Sequence, residues 1–117
     1  MDLVALARRW LSCFGTKDID ALVALYAADA RHFSPKLRIL RPESGGCIRG
    51  RAELREWWAD AFVRIPALRY VESRITAQPG RMVLEYVRSA PGEPDLLVAE
   101  VFEVADGLIR ESRVYHG

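Results

Sequence analysis

The chain has 117 residues, half of them apolar, and a formal net charge of +1 at pH 7. That length makes one domain spanning 1–117, with room for a core but not for two. The balance excludes a nucleic-acid footprint, a surface built for acidic ligands and an intrinsically disordered chain.

No apolar run approaches the ~20 residues of a membrane span, and no charged leader precedes an apolar segment at Met1, so a cytoplasmic protein with no membrane partner is expected. Cys13 and Cys47 sit in no metal-like spacing and are read as reduced thiols, a Cys13–Cys47 disulfide being the alternative.

Asp2 is placed to cap a first helix, in which Leu3, Leu6, Ala7, Trp10, Leu11 and Phe14 recur at helical spacing and Gly15 is the expected stop. A second, short helix starts at the cap Asp18 and carries Ile19, Leu22, Val23 and Tyr26 on one face. Ala30 to Pro35 reads as a short strand, with His32 and Ser34 on one side and Arg31 and Phe33 on the other. From Lys36 to Gly50 there are three glycines and four basic residues with little periodicity. A loop of that length suits a lid or a pocket rim. Gly45 to Gly50 lacks a preceding strand and the Gly-Lys-Ser/Thr ending of a phosphate loop, so it reads as a turn.

A third helix begins near Arg51, with Leu54, Trp57, Trp58, Ala61, Phe62 and Ile65 on a broad apolar face, and Pro66 ends it. Trp57 and Trp58 lie about 100° apart, so one is expected in the core and the other on a cavity wall. Strands follow. Leu68 to Gln78 alternates, with Val71, Ser73, Ile75 and Ala77 opposite Tyr70, Glu72, Arg74 and Thr76. Gln78-Pro79-Gly80-Arg81 fits a type II turn into a strand from Arg81 to Ala90.

The last stretch, Asp95 to His116, is two β-rich runs around Asp106-Gly107, the signature of a tight hairpin. Leu96, Val98, Glu100, Phe102 and Val104 share one face of the first run; Leu97, Ala99, Val101 and Glu103 share the other. Glu100 interrupts an apolar stripe and needs a partner or a proton. Three readings stay open: a pocket acid with a raised pKa, a buried ion-pair partner, or an interface residue on a reversed face.

Helices first and an antiparallel meander after make an α+β domain, its sheet curling into an open cone with the helices across the mouth. Asp18 to Ala30, then Gly50-Arg-Ala-Glu-Leu-Arg-Glu-Trp-Trp, then Val101 to Tyr115 resemble the SnoaL-like branch of the NTF2-like superfamily. That superfamily includes ketosteroid isomerases, polyketide cyclases and limonene epoxide hydrolases. The resemblance implies a cavity between helices and sheet, no cofactor, no metal, and a homodimer formed through the outer sheet face.

Carried over residue by residue, the isomerase pattern mostly fails. Its Asp base matches Ser34, which cannot abstract a proton from carbon unaided. Its oxyanion tyrosine matches Trp10. Its protonated Asp matches Glu100, which keeps the acidic group. Classical ketosteroid isomerisation is therefore not expected. In the family's pattern His32 and His116 face the cavity with Glu100, giving three candidate catalytic groups. Trp10, Phe14, Tyr26, Ser34, Trp57, Trp58, Phe62 and Phe102 are the candidate walls for a hydrophobic, oxygenated small molecule.

The resulting expectation is cofactor-free acid–base chemistry of the isomerase, cyclase, dehydratase or hydrolase kind. The alternative is a non-catalytic binding or dimerisation module whose cavity its own aromatics fill. In the dimer, Leu97, Ala99, Val101 and Glu103 would lie beside Ile109, Glu111, Arg113 and Tyr115, with Arg113 meeting Glu103 or Glu111 of the partner.

Overall fold

Asp2 accepts a hydrogen bond from the Ala5 N–H and opens α1 (Leu3–Thr16) in a computed structural model that describes all of residues 1–117. The apolar stripe is the buried face, with Leu3, Leu6, Ala7, Trp10 and Phe14 turned onto the sheet. Gly15 does not stop this helix. It continues to Thr16, and Lys17 takes the left-handed cap position at φ 58°. The Lys17 ammonium donates to the carbonyls of Phe14 and Leu68, which offsets the strain of a non-glycine residue there.

Asp18 caps α2 (Ile19–Ala24) through the Ala21 N–H. Tyr26 leaves that helix face and instead begins β1 (Tyr26–Phe33), which starts earlier than the expected Ala30–Pro35 strand. Helical spacing ran on past the helix because the fourth apolar residue is claimed by sheet pairing: Tyr26 stands opposite Ile109 in parallel register. Arg51 clamps the junction by donating both Nε and Nη2 to the Tyr26 carbonyl.

The stretch expected as a long loop is mostly ordered. Ser34 accepts from the Lys36 N–H and caps α3 (Pro35–Leu40), with Pro35 at the first helical turn where its missing N–H costs nothing. A 3-10 turn (Pro42–Ser44), two left-handed glycines and β2 (Cys47–Arg49) follow. Cys13 is buried, Cys47 is half-buried, and both are free thiols. The third expected helix is α4 (Gly50–Arg64), which buries Leu54, Trp57 and Trp58.

β3 (Arg69–Gln78), β4 (Arg81–Ser89), β5 (Leu96–Ala105) and β6 (Leu108–His116) complete a six-stranded sheet in the order β2-β1-β6-β5-β4-β3. Every pairing is antiparallel except β1 with β6. Both hairpin turns form as the sequence predicts: Gly80 is at φ 76°, and Asp106 and Gly107 are at φ 53° and 76°. The layers are helices against one face of a curved, mostly antiparallel sheet, which is the α+β cone.

Two bulges change which residues face inward. One between Glu72 and Arg74 breaks strict alternation, so Tyr70 and Ile75 both pack on the core instead of lying on opposite faces. The other, between Glu103 and Val104, turns Ile109 fully into the core and removes it from the outer face. Leu97 and Tyr115 stay exposed there, at 64% and 54%. The charges on that face close within one chain: Arg113 pairs with Glu103 and Glu111, Arg81 with Glu103, and Arg31 with Glu111. Arg113 is thus already matched without a partner subunit.

Candidate functional site

Glu100 is turned inward. Strand β5 alternates so that Val98, Glu100 and Phe102 are all buried, and Glu100 is 1% exposed. Tyr86, on the neighbouring strand, donates its hydroxyl proton to Glu100 Oε1 at 2.8 Å. Glu100 Oε2 is buried and has no hydrogen-bond partner. Burial pushes the carboxyl up from 4.5 to about 8, the Tyr86 hydrogen bond opposing that shift. At neutral pH the group is therefore a carboxylic acid with one unspent proton.

A second set of buried polar groups converges from β1, β6 and α1. Trp10 Nε1 lies 3.1 Å from the Tyr26 hydroxyl, which lies 3.0 Å from Ser112 Oγ, which lies 2.7 Å from His32 Nδ1. The directions follow from the inventory of donors. An indole only donates, so Trp10 gives its proton to the Tyr26 oxygen. The arrangement in which every remaining proton finds an acceptor has Tyr26 donate to Ser112 and Ser112 donate to His32 Nδ1. This chain assigns His32 the Nε2–H tautomer.

Burial drives His32 down from 6.5 to about 3, so it stays neutral. His32 Nδ1 is 3.9 Å from Glu100 Oε2, beyond hydrogen-bond reach. The two are close neutral neighbours and not an ion pair. The same burial raises Tyr26 and Tyr86 far above the usual phenol range, so both remain hydroxyl donors.

In front of these groups lies a cavity of about 260 Å³, slightly under the roughly 300 Å³ at which small-ligand pockets begin. Its floor is Glu100, His32 and Tyr86, and its walls include Trp10, Phe14, Trp57, Trp58, Tyr70, Val98 and Val114. The rim comes from α3 and the end of α4, through Lys36, Ile39, Leu40, Arg64 and Ile65. The segment expected as a rim therefore is one, but in helical form.

The aromatic wall is continuous. Trp10 and Phe14 have ring centroids 4.4 Å apart, Phe14 and Tyr70 4.5 Å, and Tyr70 and Tyr86 4.4 Å. Trp58 tilts against His32 at 5.1 Å. Each such pair adds about 0.5–1.5 kcal/mol beyond the area it buries, so this wall is stiff.

Of the eleven residues singled out from the sequence, eight meet at this cavity: Glu100, His32, His116, Trp10, Phe14, Ser34, Trp57 and Trp58. Both adjacent tryptophans are buried in the core and both border the cavity, where one was expected in each place. Tyr26, Phe62 and Phe102 do not line it. Tyr26 sits behind Trp10 in the hydrogen-bond chain, Phe62 packs edge-on to Phe14, and Phe102 is fully buried against Trp10. Ser34 reaches the cavity but is occupied as the α3 cap. His116 stands opposite Val98 and is lowered by burial, then by Lys36 and Arg88.

Tyr70, Tyr86 and Arg88 were not foreseen, nor was the hydrogen-bonding role of Ser112. Tyr86 and Ser112 share the inward faces of β4 and β6 with residues that were, so extending the alternation from Glu100 to its cross-strand neighbours would have reached them.

A family model described as a SnoaL-like domain matches residues 7–112, and the chain belongs to that family. No curated protein matches it. Among solved structures it is similar to a SnoaL-like protein of unknown function from Burkholderia thailandensis, at 24% identity and TM-score 0.88, covering 97% of this chain and 92% of that one. It is similar to TerC co-crystallized with polyporic acid, at 17% identity and TM-score 0.81, covering 97% and 90%. A third is a hypothetical protein with a ketosteroid isomerase-like fold from Catenulispora acidiphila, in complex with trimethylamine, at 17% identity and TM-score 0.77, covering 94% and 83%. At these identities the likeness carries the fold and leaves the chemistry to the residues.

Proposed function

We propose that the cavity binds an apolar small molecule through an acceptor oxygen, a carbonyl or an enolate, held by two neutral donors on the floor. The donors are the Glu100 carboxylic acid and the Nε2–H of His32. The unpartnered Glu100 Oε2 carries this reading: a buried polar atom without a partner costs about 1–3 kcal/mol, which a ligand oxygen offsets. A cavity lined by thirteen hydrophobic residues out of twenty-one suits the apolar body. A cavity of about 260 Å³ bordered by Glu100 argues against a module that fills itself.

In this reading catalysis is proton movement without a cofactor. Donors on the carbonyl oxygen acidify the adjacent C–H bond; as the proton leaves, the electron pair of that bond becomes the C=C bond and the carbonyl π pair moves onto oxygen. His116, neutral and on the same wall, takes the proton at carbon and returns it at a second position. It lies one diagonal step from Glu100, a separation of roughly 7 Å that leaves room for substrate between them.

Titration calorimetry with 2-acetylnaphthalene and 2-isopropylnaphthalene, which differ chiefly in the carbonyl oxygen, tests the reading. The ketone is expected to bind wild type about tenfold or more tighter, and Glu100→Leu to cut that difference several-fold. Equal binding of the two compounds to wild type would overturn it.

A further inference from the structure

A net charge of +1 hides an uneven placement of charge around the cavity. Arg88, 6% exposed, lies on the same inward row of β4 as Leu84 and Tyr86, so its guanidinium stands at the wall of an otherwise apolar hollow. One carboxylate meets it: Glu93, from the turn before β5, which takes Nη1 alone at 3.0 Å and is itself 42% exposed. A guanidinium is a fork that binds a carboxylate through two N–H groups; here Glu93 takes one, and the Tyr70 hydroxyl lies beside the fork. Lys36, half-buried on the rim, has no carboxylate partner at all. Lys36, Arg88 and His116 all border the cavity, and the register puts Arg88 and His116 at the same end of the sheet, opposite Leu96 and Val98 of β5. Arg64, also on the rim, is neutralised by Asp60 at 2.7 Å.

Resting on the reading that the cavity takes an apolar oxygenated molecule, we propose that this molecule is an acid, its carboxylate held by Arg88 and Lys36 while its other oxygen reaches Glu100. The span follows from the register. Leu84 pairs with Glu100, and Arg88 is four residues further along β4, or roughly 13 Å of strand. The two oxygen groups of the ligand therefore stand on the order of 10 Å apart. Tyr86 and Tyr70 supply a flat wall between them, which suits a rigid ring system.

The test is titration calorimetry with 6-acetyl-2-naphthoate and 6-acetyl-2-naphthamide, which share shape and ketone and differ in charge. Wild type is expected to bind the acid about tenfold tighter than the amide, as a charge-assisted pair gives. Lys36→Gln should cut that preference several-fold, and Arg88→Gln combined with Glu93→Gln, which leaves no carboxylate stranded, should bring it within about twofold. Glu100→Leu should weaken both compounds equally and leave the preference intact. Equal binding of acid and amide to wild type overturns this proposal and spares the ketone-binding reading. A preference that survives both cation variants overturns it also. Failure of both compounds to bind removes the proposal and the reading beneath it together.

Discussion

The Tyr86 hydroxyl donates to Glu100 Oε1 at 2.8 Å and leaves Oε2, on the same carboxyl, without a partner. That asymmetry is the chemical content of the site. A fully bonded carboxylate would be structural, whereas a half-bonded acid keeps one donor for something outside the chain.

Stability should fall with pH above neutrality, and Glu100 should be the cause. Its folded pKa of about 8 exceeds the ordinary 4.5, so the folded chain holds a proton that the unfolded chain releases, and stability is lost as pH rises between those values. His32 acts in the opposite sense, its folded value of about 3 lying below 6.5, so its contribution is lost as pH falls through that window. The two largely cancel from 4.5 to 6.5. Between 6.5 and 8 the Glu100 slope stands alone, at up to about 1.4 kcal/mol per pH unit. Urea denaturation across pH 5–8.5 should show this decline in wild type and none in Glu100→Gln.

Tyr86→Phe removes the one hydrogen bond that Glu100 makes. The expected cost is about 1–3 kcal/mol, because the acid then has two unsatisfied oxygens. The carboxyl should also titrate higher than in wild type, since the lost bond held its pKa down. Denaturation and a side-chain titration on the same variant check both, and an unchanged titration would show that the hydroxyl does not reach Glu100.

Tyr26→Phe interrupts the chain that orients His32. Trp10 loses its acceptor and Ser112 its donor, for a cost of about 1–3 kcal/mol. Imidazole 15N shifts should report a single Nε2–H tautomer in wild type and a mixture in the variant. The same tautomer in both would mean that the relay does not set it.

Gly107→Ala tests the hairpin that presents Glu100. Its φ of 76° is poorly tolerated by alanine, while the nearest atom to an added Cβ is the flexible end of Met1 at 3.4 Å. Strain and not collision should dominate, at about 1–2 kcal/mol. Urea midpoints of the two proteins check it.

What the sequence made legible was whatever repeats at short range. Glu100 stood out because one charge broke an apolar alternation, and the Asp106-Gly107 turn because its dipeptide has a backbone preference of its own. Tyr86 and Ser112 gave no such signal. Their roles come from partners in other elements, as with Ser112 and Tyr26, which are 86 positions apart. Tyr70 and Ile109 were misplaced by bulges, which insert a residue without a composition cue. Helix α3 was legible after all. Ser34 before Pro35 is a cap followed by a first-turn proline, a pattern outweighed by reading the pair as a strand end.

Carbon-detected NMR titration of the Glu100 side-chain carboxyl, assigned by its loss in Glu100→Gln, reads the protonation state directly. A midpoint near 8 is what a buried, half-bonded acid facing an apolar hollow gives. A midpoint near 4.5 would mean that the carboxyl is solvated and charged at neutral pH, and the donor floor proposed for this cavity would not exist.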